Sequence, residues 1–209
     1  MSRSVRSWLN WLAAAAVLIA AMLALAPVAH AQDKSLFWEK FDVDIEVNAD
    51  GTFDVAEYQT IQFTSGTFTF GFREIPINNF NFIDNWAISD SQGNTYTEST
   101  YGDAPYTFTV SEGDSYVVKW YFPPTGYTSE TYTLRYTVHG GLRYYDGGDQ
   151  VWWKAIFADR AFPVEDGRVR VIVPPGARVQ EYQAYINAAD ARFCWRIIPL
   201  VPIVYSSPA

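Results

Sequence analysis

A period-two alternation of apolar and polar residues constrains the fold of this chain more than any other feature of its sequence. From Phe41 to Val47, apolar side chains at every second position alternate with carboxylates. The alternation resumes at Phe53, after Asn48-Ala49-Asp50-Gly51, and Asp-Gly between two such runs is among the strongest hairpin signals. Because successive side chains of a strand point to opposite faces, the pattern predicts strands that bury one face.

Similar short segments follow along the chain, separated by turn-forming Gly, Pro, Asn and Asp residues. A third strand is predicted at Thr67–Phe72, and further strands over 82–89, 94–99, 105–110, 115–122, 130–138, 149–157, 167–173 and 179–186. No convincing amphipathic helix follows residue 31, so the pattern favours an all-β domain. We predict an immunoglobulin-like antiparallel β-sandwich over residues 32–186 and an irregular C-terminal tail over 187–209.

The amino terminus has the layout of an export signal. Two arginines precede an uncharged run from Trp11 to Ala26, Pro27 ends that run, and Ala29-His30-Ala31 provides small residues for a signal peptidase. Residues 1–31 are therefore predicted to be a signal peptide cleaved after Ala31. The alternative is an uncleaved anchor, because the apolar stretch is nearly long enough to span a bilayer. Either way, we expect an exported, extracytoplasmic protein, in the cell envelope or secreted.

Composition excludes several classes of function. The chain has 15 Lys and Arg against 23 Asp and Glu, for a net charge of -8. Nucleic acid is not an expected partner, because its binding requires a basic surface. Cys194 is the single cysteine, which excludes an intramolecular disulfide and a cysteine-based zinc cluster.

Two motifs carry a resemblance to a known family. They are Val43-x-Ile45-x-Val47-x3-Gly51-x-Phe53-x-Val55-x-Glu57 and Arg73-Glu74-Ile75-Pro76. Together with later strand-like segments, they resemble the domain of unknown function 2207 family over about residues 38–180. The resemblance implies an extracytoplasmic β-domain of a bacterial membrane protein, in which transmembrane helices follow. We therefore expect membrane association through a retained signal or through a C-terminal segment missing from this chain.

Glu57 is the most informative charged residue of the predicted strands. It has the same strand parity as Phe53 and Val55, which places it on the core side, where an unpaired charge is costly. Arg73 is the nearest cation in the sequence, and the family resemblance places Glu and Arg at these two positions. We predict a structural Glu57–Arg73 ion pair that fixes strand register. The alternative, Glu57 as a catalytic acid, lacks a second carboxylate placed with it.

The remaining polar residues predict no catalytic residue, no metal site and no cofactor. The spacing of Glu46 to Glu57 matches an EF-hand loop, but both flanks alternate as strands do rather than as helices. His139 would be the sole histidine left after cleavage, and it lacks the partners that a catalytic or metal-binding histidine needs. Gly-rich phosphate-binding loops are missing from the sequence.

Aromatic residues make up 17% of the chain and are the one compositional excess. Core packing accounts for most of them, because each ring can bury about 150–250 Å². The candidate ligand-contact aromatics are Trp86, Tyr144, Tyr145, Trp152 and Trp153. Since the last two are adjacent, one ring should point inward and the other outward.

These features together predict a non-enzymatic, exported β-sandwich module that is associated with the cell envelope and binds protein partners. The expected partner is an envelope protein or a polysaccharide. The alternative function is a carbohydrate-binding module that uses exposed Trp and Tyr. A hydrolase fits least well, because the carboxylates alternate between strand faces without forming a convincing pair.

Overall fold

The computed structural model describes residues 33–146, 148–156 and 160–177, in which all regular structure is β. The predicted signal peptide, the C-terminal tail and the expected strand over 179–186 lie outside the described residues. The strands are β1 Ser35–Val47, β2 Phe53–Ser65, β3 Phe68–Pro76, β4 Phe82–Asp90, β5 Thr97–Glu98, β6 Thr107–Glu112, β7 Ser115–Thr125, β8 Ser129–His139, β9 Leu142–Arg143, β10 Gln150–Val151 and β11 Gly167–Ile172.

The long strands form two sheets. One has five strands in the order β11-β1-β2-β8-β4, the other has four in the order β3-β7-β6-β5, and β9 with β10 makes a separate short ladder. The predicted alternation orients the strands, since a row such as Val43, Glu57 and Leu134 is aligned across three strands and is buried throughout. The all-β prediction is confirmed.

Two buried clusters join the sheets. One combines Phe53 and Val138 of the five-stranded sheet with Ile75 of the four-stranded sheet. The other combines Leu134 with Trp120, whose indole covers Gly71 so closely that an added Cβ would come within 2.4 Å of the ring. Because each cluster draws on both sheets, the sheets pack face to face as a sandwich.

The first two strands form the expected hairpin. Gly51 N donates to Asn48 O at 3.0 Å, and Gly51 has a φ of 85°. That left-handed conformation favours glycine. Asp50 Oδ1 accepts from Thr52 N at 3.0 Å, which closes the turn locally. The Asp-Gly signal therefore identified both the turn and the residue that its backbone requires.

Three details differ from the predicted strands. In the 94–99 segment only Thr97 and Glu98 form a strand, and the strand predicted over 149–157 is reduced to β10. In addition, β11 pairs with β1 in parallel, so the sheets are not wholly antiparallel. The connection after β8 returns to Trp38, where Pro163 O accepts from Trp38 N at 2.9 Å, before β11 begins. This return makes β11 run in the direction of β1. The immunoglobulin-like connectivity stays a prediction.

The outer faces of the two sheets differ in chemistry. On the five-stranded sheet, cross-strand neighbours such as Arg168 with Asp42 and Arg170 with Asp44 are oppositely charged. On the four-stranded sheet, three aligned rows form what we call the aromatic face. It consists of Phe70, Tyr121 and Thr107; Phe72, Lys119 and Thr109; and Glu74, Val117 and Ser111.

Candidate functional site

Glu57 and Arg73 meet inside the sandwich, between β2 of one sheet and β3 of the other. Arg73 Nε donates to Glu57 Oε1 at 2.9 Å and to Oε2 at 3.1 Å. The Glu57 side chain is 0% exposed and the Arg73 side chain is 2% exposed. The remaining guanidinium nitrogens reach backbone carbonyls, Nη1 at 2.8 Å from Glu74 O and Nη2 at 3.1 Å from Ala155 O. The charged head of Arg73 therefore joins both sheets to the segment after β10.

Two further buried side chains complete the environment of Glu57. Tyr136 donates its hydroxyl to Oε1 at 2.8 Å, and Gln59 Nε2 donates to Oε2 at 3.0 Å. Gln59 in turn accepts from Trp38 Nε1 at 3.0 Å. We call Glu57, Arg73, Tyr136, Gln59 and Trp38 the Glu57 network. Both carboxylate oxygens are thus engaged by fixed donors, as a buried charge requires.

Burial and the neighbouring charges shift two pKa values in this network. Burial works against the charged guanidinium, but the Glu57 carboxylate leaves the pKa of Arg73 raised. Burial, reinforced by the negative charge of Glu57, holds the pKa of Tyr136 well above its ordinary value. Arg73 is therefore a fixed cation, and Tyr136 stays a hydrogen-bond donor throughout the physiological pH range.

The candidate aromatics separate into two groups. Tyr144, Tyr145 and Trp152 are exposed. Trp86 and Trp153 are half-buried and pack on the core, with ring centroids 4.8 Å and 6.2 Å from that of Tyr136. The adjacent tryptophans thus point in opposite senses as expected, even though β10 ends before them.

The exposed rings belong to the connection that follows β8. Tyr144 places this connection against the first hairpin. Its hydroxyl packs so closely on Gly51 that a Cβ added there would lie only 2.4 Å from it. A side chain at position 51 would displace the ring. The same end of the sandwich carries His139, which contacts Asp84 Oδ1 at 2.8 Å and stacks on Phe82 with a centroid distance of 4.1 Å.

Sequence reasoning missed most partners of Glu57. Gln59 shares the inward parity of Glu57, and Tyr136 lies opposite Val55 on β8. Both could have been found by applying the parity argument to polar residues as well as to apolar ones. Trp38 could not, because register shifts interrupt the pairing of β1 with β2 on both sides of it.

A cleft beside Trp86 was also not predicted. It has a volume of about 380 Å³ and lies between the edge strands β4 and β5. Rings of Trp86, Tyr96 and Phe108 line it, together with the charged side chains of Glu98 and Arg135. The β4–β8 pairing shifts register between Asp84 and Ala87, which sets Trp86 at a bulge.

Neither a membrane-spanning helix nor a cluster of three or more metal-ligating side chains occurs among the residues that the structure describes. No curated protein matches the chain. Among solved structures, a candidate protease from Parabacteroides distasonis is similar over 50% of this chain and 23% of its own, with 8% identity and a TM-score of 0.31. The chain thus spans about a quarter of that protein.

The family comparison is extensive. Residues 38–193 match the family model described as the N-terminal domain of a predicted membrane protein, DUF2207. The matched range includes both motifs of the resemblance, the whole Glu57 network and all five candidate aromatics. On this match over most of its length, the chain belongs to the DUF2207 family of predicted membrane proteins.

Proposed function

We propose that this domain is a non-enzymatic, extracytoplasmic interaction module of a membrane protein, which binds an envelope protein through its loops. The observation that carries the proposal is the exposure of Tyr144, Tyr145 and Trp152 on one connection. Binding residues concentrate on loops held by a rigid scaffold. Tyr and Trp are enriched in protein interfaces because they combine a large apolar area with a polar atom.

The burial of Glu57 supports the non-enzymatic part of this proposal. A general acid or base must reach its substrate within hydrogen-bond distance. Glu57 is 0% exposed and is held by Arg73, Tyr136 and Gln59. Membership in a family of predicted membrane proteins supports the association with the envelope.

Site-specific photocrosslinking in intact cells tests the interaction. With p-benzoylphenylalanine at position 145, we expect a discrete protein adduct in the membrane fraction, because Tyr145 would lie at the interface. The same probe at Tyr101, which is 87% exposed but lies outside this connection, is the matched control. Equal adducts at both positions, or none at position 145, would refute the proposed binding surface.

Carbohydrate binding is the second candidate function, and the cleft beside Trp86 favours it. Aromatic rings with a few charged groups in a cleft of about 380 Å³ are typical of a small-ligand site. A sugar ring would stack on an aromatic face while Glu98 and Arg135 bind its hydroxyl groups. Binding of the protein to a polysaccharide on a glycan array, and the loss of this binding in Trp86→Ala, would establish this function in place of the first.

A further inference from the structure

The aromatic face carries two exposed phenylalanines on one strand. Phe70 is 42% exposed and Phe72 is 56% exposed, although neither ring has a polar atom that water could bind. Tyr121 lies beside Phe70 in the next strand, with ring centroids 6.4 Å apart. Exposed apolar rings that are contiguous, rather than scattered, mark a surface that contacts another apolar phase.

The charges of this face are few and balanced. Lys119 and Glu74 are the charged residues among its nine positions, in a chain whose net charge is -8. Lys119 Nζ lies 3.9 Å from the centroid of Phe70 and 5.0 Å from that of Tyr121. Aromatic rings with a lysine whose long stem can carry its ammonium to water are the residues that settle at a membrane–water interface.

The dimensions of the face argue for a bilayer rather than a second protein. Three strands about 4.8 Å apart and about six residues long make a surface of roughly 15 by 20 Å, or about 300 Å². A stable protein interface needs about 800 Å² from each partner and close shape complementarity. A lipid surface needs neither, since it deforms around the rings.

The chain also enters the sandwich next to this face. Ser65 Oγ donates to Asp33 O at 2.7 Å, and Lys34 Nζ lies 5.3 Å from the ring centroid of Phe68, the first residue of β3. The described chain therefore begins beside β3, the edge strand that carries Phe70 and Phe72.

From these observations we infer that the aromatic face lies against the lipid bilayer, with Phe70 and Phe72 in the interfacial layer and Lys119 beside the headgroups. This inference rests on the proposed envelope association and adds the surface that makes the contact. Because Lys119 and Glu74 cancel, the contact depends on apolar burial and requires no anionic lipid.

A fluorescent label tests the inference in the full chain. An NBD group is attached to Phe72→Cys in a Cys194→Ser background, and the protein is added to vesicles of phosphatidylethanolamine and phosphatidylglycerol. We expect roughly a twofold rise in emission with a blue shift, because the probe leaves water for the interface. Vesicles of phosphatidylcholine should give the same result. Phe82→Cys, at a 45% exposed phenylalanine outside this face, is the matched control and should not respond.

Three other outcomes overturn the inference. A blue shift that follows protein concentration without vesicles would mean that a second copy covers the face. Equal responses at positions 72 and 82 would mean that the contact is nonspecific. If the protein floats with vesicles while the label at position 72 does not respond, the membrane association stands but this face does not make it.

Discussion

Two arginine–carboxylate contacts in this domain have the same chemistry but opposite surroundings. Arg73 and Glu57 are sealed between the sheets, with Tyr136 and Gln59 as additional donors. Arg170 and Asp44 join β11 to β1 on the outer face, where the Arg170 side chain is 33% exposed. The inner pair cannot exchange its partner for water, whereas the outer pair can. We therefore expect burial, rather than ion-pair geometry, to decide how much stability is lost when either pair is broken.

The largest effect is expected from removing the negative charge of the inner pair. Glu57→Gln keeps the shape of the side chain but takes away the carboxylate that faces the buried Arg73 guanidinium. We expect the free energy of unfolding to fall by about 3–5 kcal/mol, measured by urea denaturation. Glu46→Gln, on an exposed position of β1, is the matched control and should change it by less than about 0.5 kcal/mol.

Removing both charges sharpens the same comparison. The double variant Glu57→Leu, Arg73→Met should lose less stability than Glu57→Gln, because no charge remains buried. An equal or larger loss in the double variant would contradict the assignment of the cost to the buried Arg73 charge that has lost the Glu57 carboxylate.

The Glu57–Arg73 pair followed from strand parity and the family resemblance, whereas the outer pair did not follow from the sequence. Alternation defines which face of a strand is buried, and it therefore put Glu57 in the core. It does not define which strands are neighbours across a long connection. The pairing of Arg170 with Asp44 depends on β11 returning beside β1 in parallel, and nothing local to residues 167–172 encodes that choice. The cleft beside Trp86 depends in the same way on a bulge that alternation conceals.

An intermediate effect is expected at alkaline pH. Tyr136 has a raised pKa in the folded state, so the folded protein retains a proton that the unfolded chain loses near the ordinary value of 10.0. Its contribution to stability is fully present below that pH and is lost as pH rises above it. Unfolding experiments should show a loss of about 1.4 kcal/mol per pH unit from this residue.

Substitutions separate this tyrosine from the others. Tyr136→Phe should lower the alkaline slope by about 1.4 kcal/mol per pH unit, while Tyr96 and Tyr132, whose pKa values burial also raises, still contribute to it. Tyr145→Phe, at an exposed position, is the matched control. A slope that is identical in wild type and Tyr136→Phe would exclude Tyr136 as one of its sources.

The smallest effect is expected from the outer pair. Arg170→Ala should lower the free energy of unfolding by less than about 1 kcal/mol, because solvent screens the contact with Asp44. The difference from wild type should shrink further in 1 M salt, where the screening length is about 3 Å. A loss as large as that of Glu57→Gln, and insensitive to salt, would remove the distinction between the two pairs.

The parallel pairing of β1 and β11 also has a mechanical consequence. The described chain enters β1 at Ser35, and it leaves β11 at Ile172, which is aligned with Glu46 near the opposite end of β1. Tension along the polypeptide would therefore pull the two strands past each other lengthwise. All the hydrogen bonds of the six paired positions from Phe41–Gly167 to Glu46–Ile172 would then bear the load together, instead of opening one after another. A domain connected in this way resists stretching when it is pulled from its two ends.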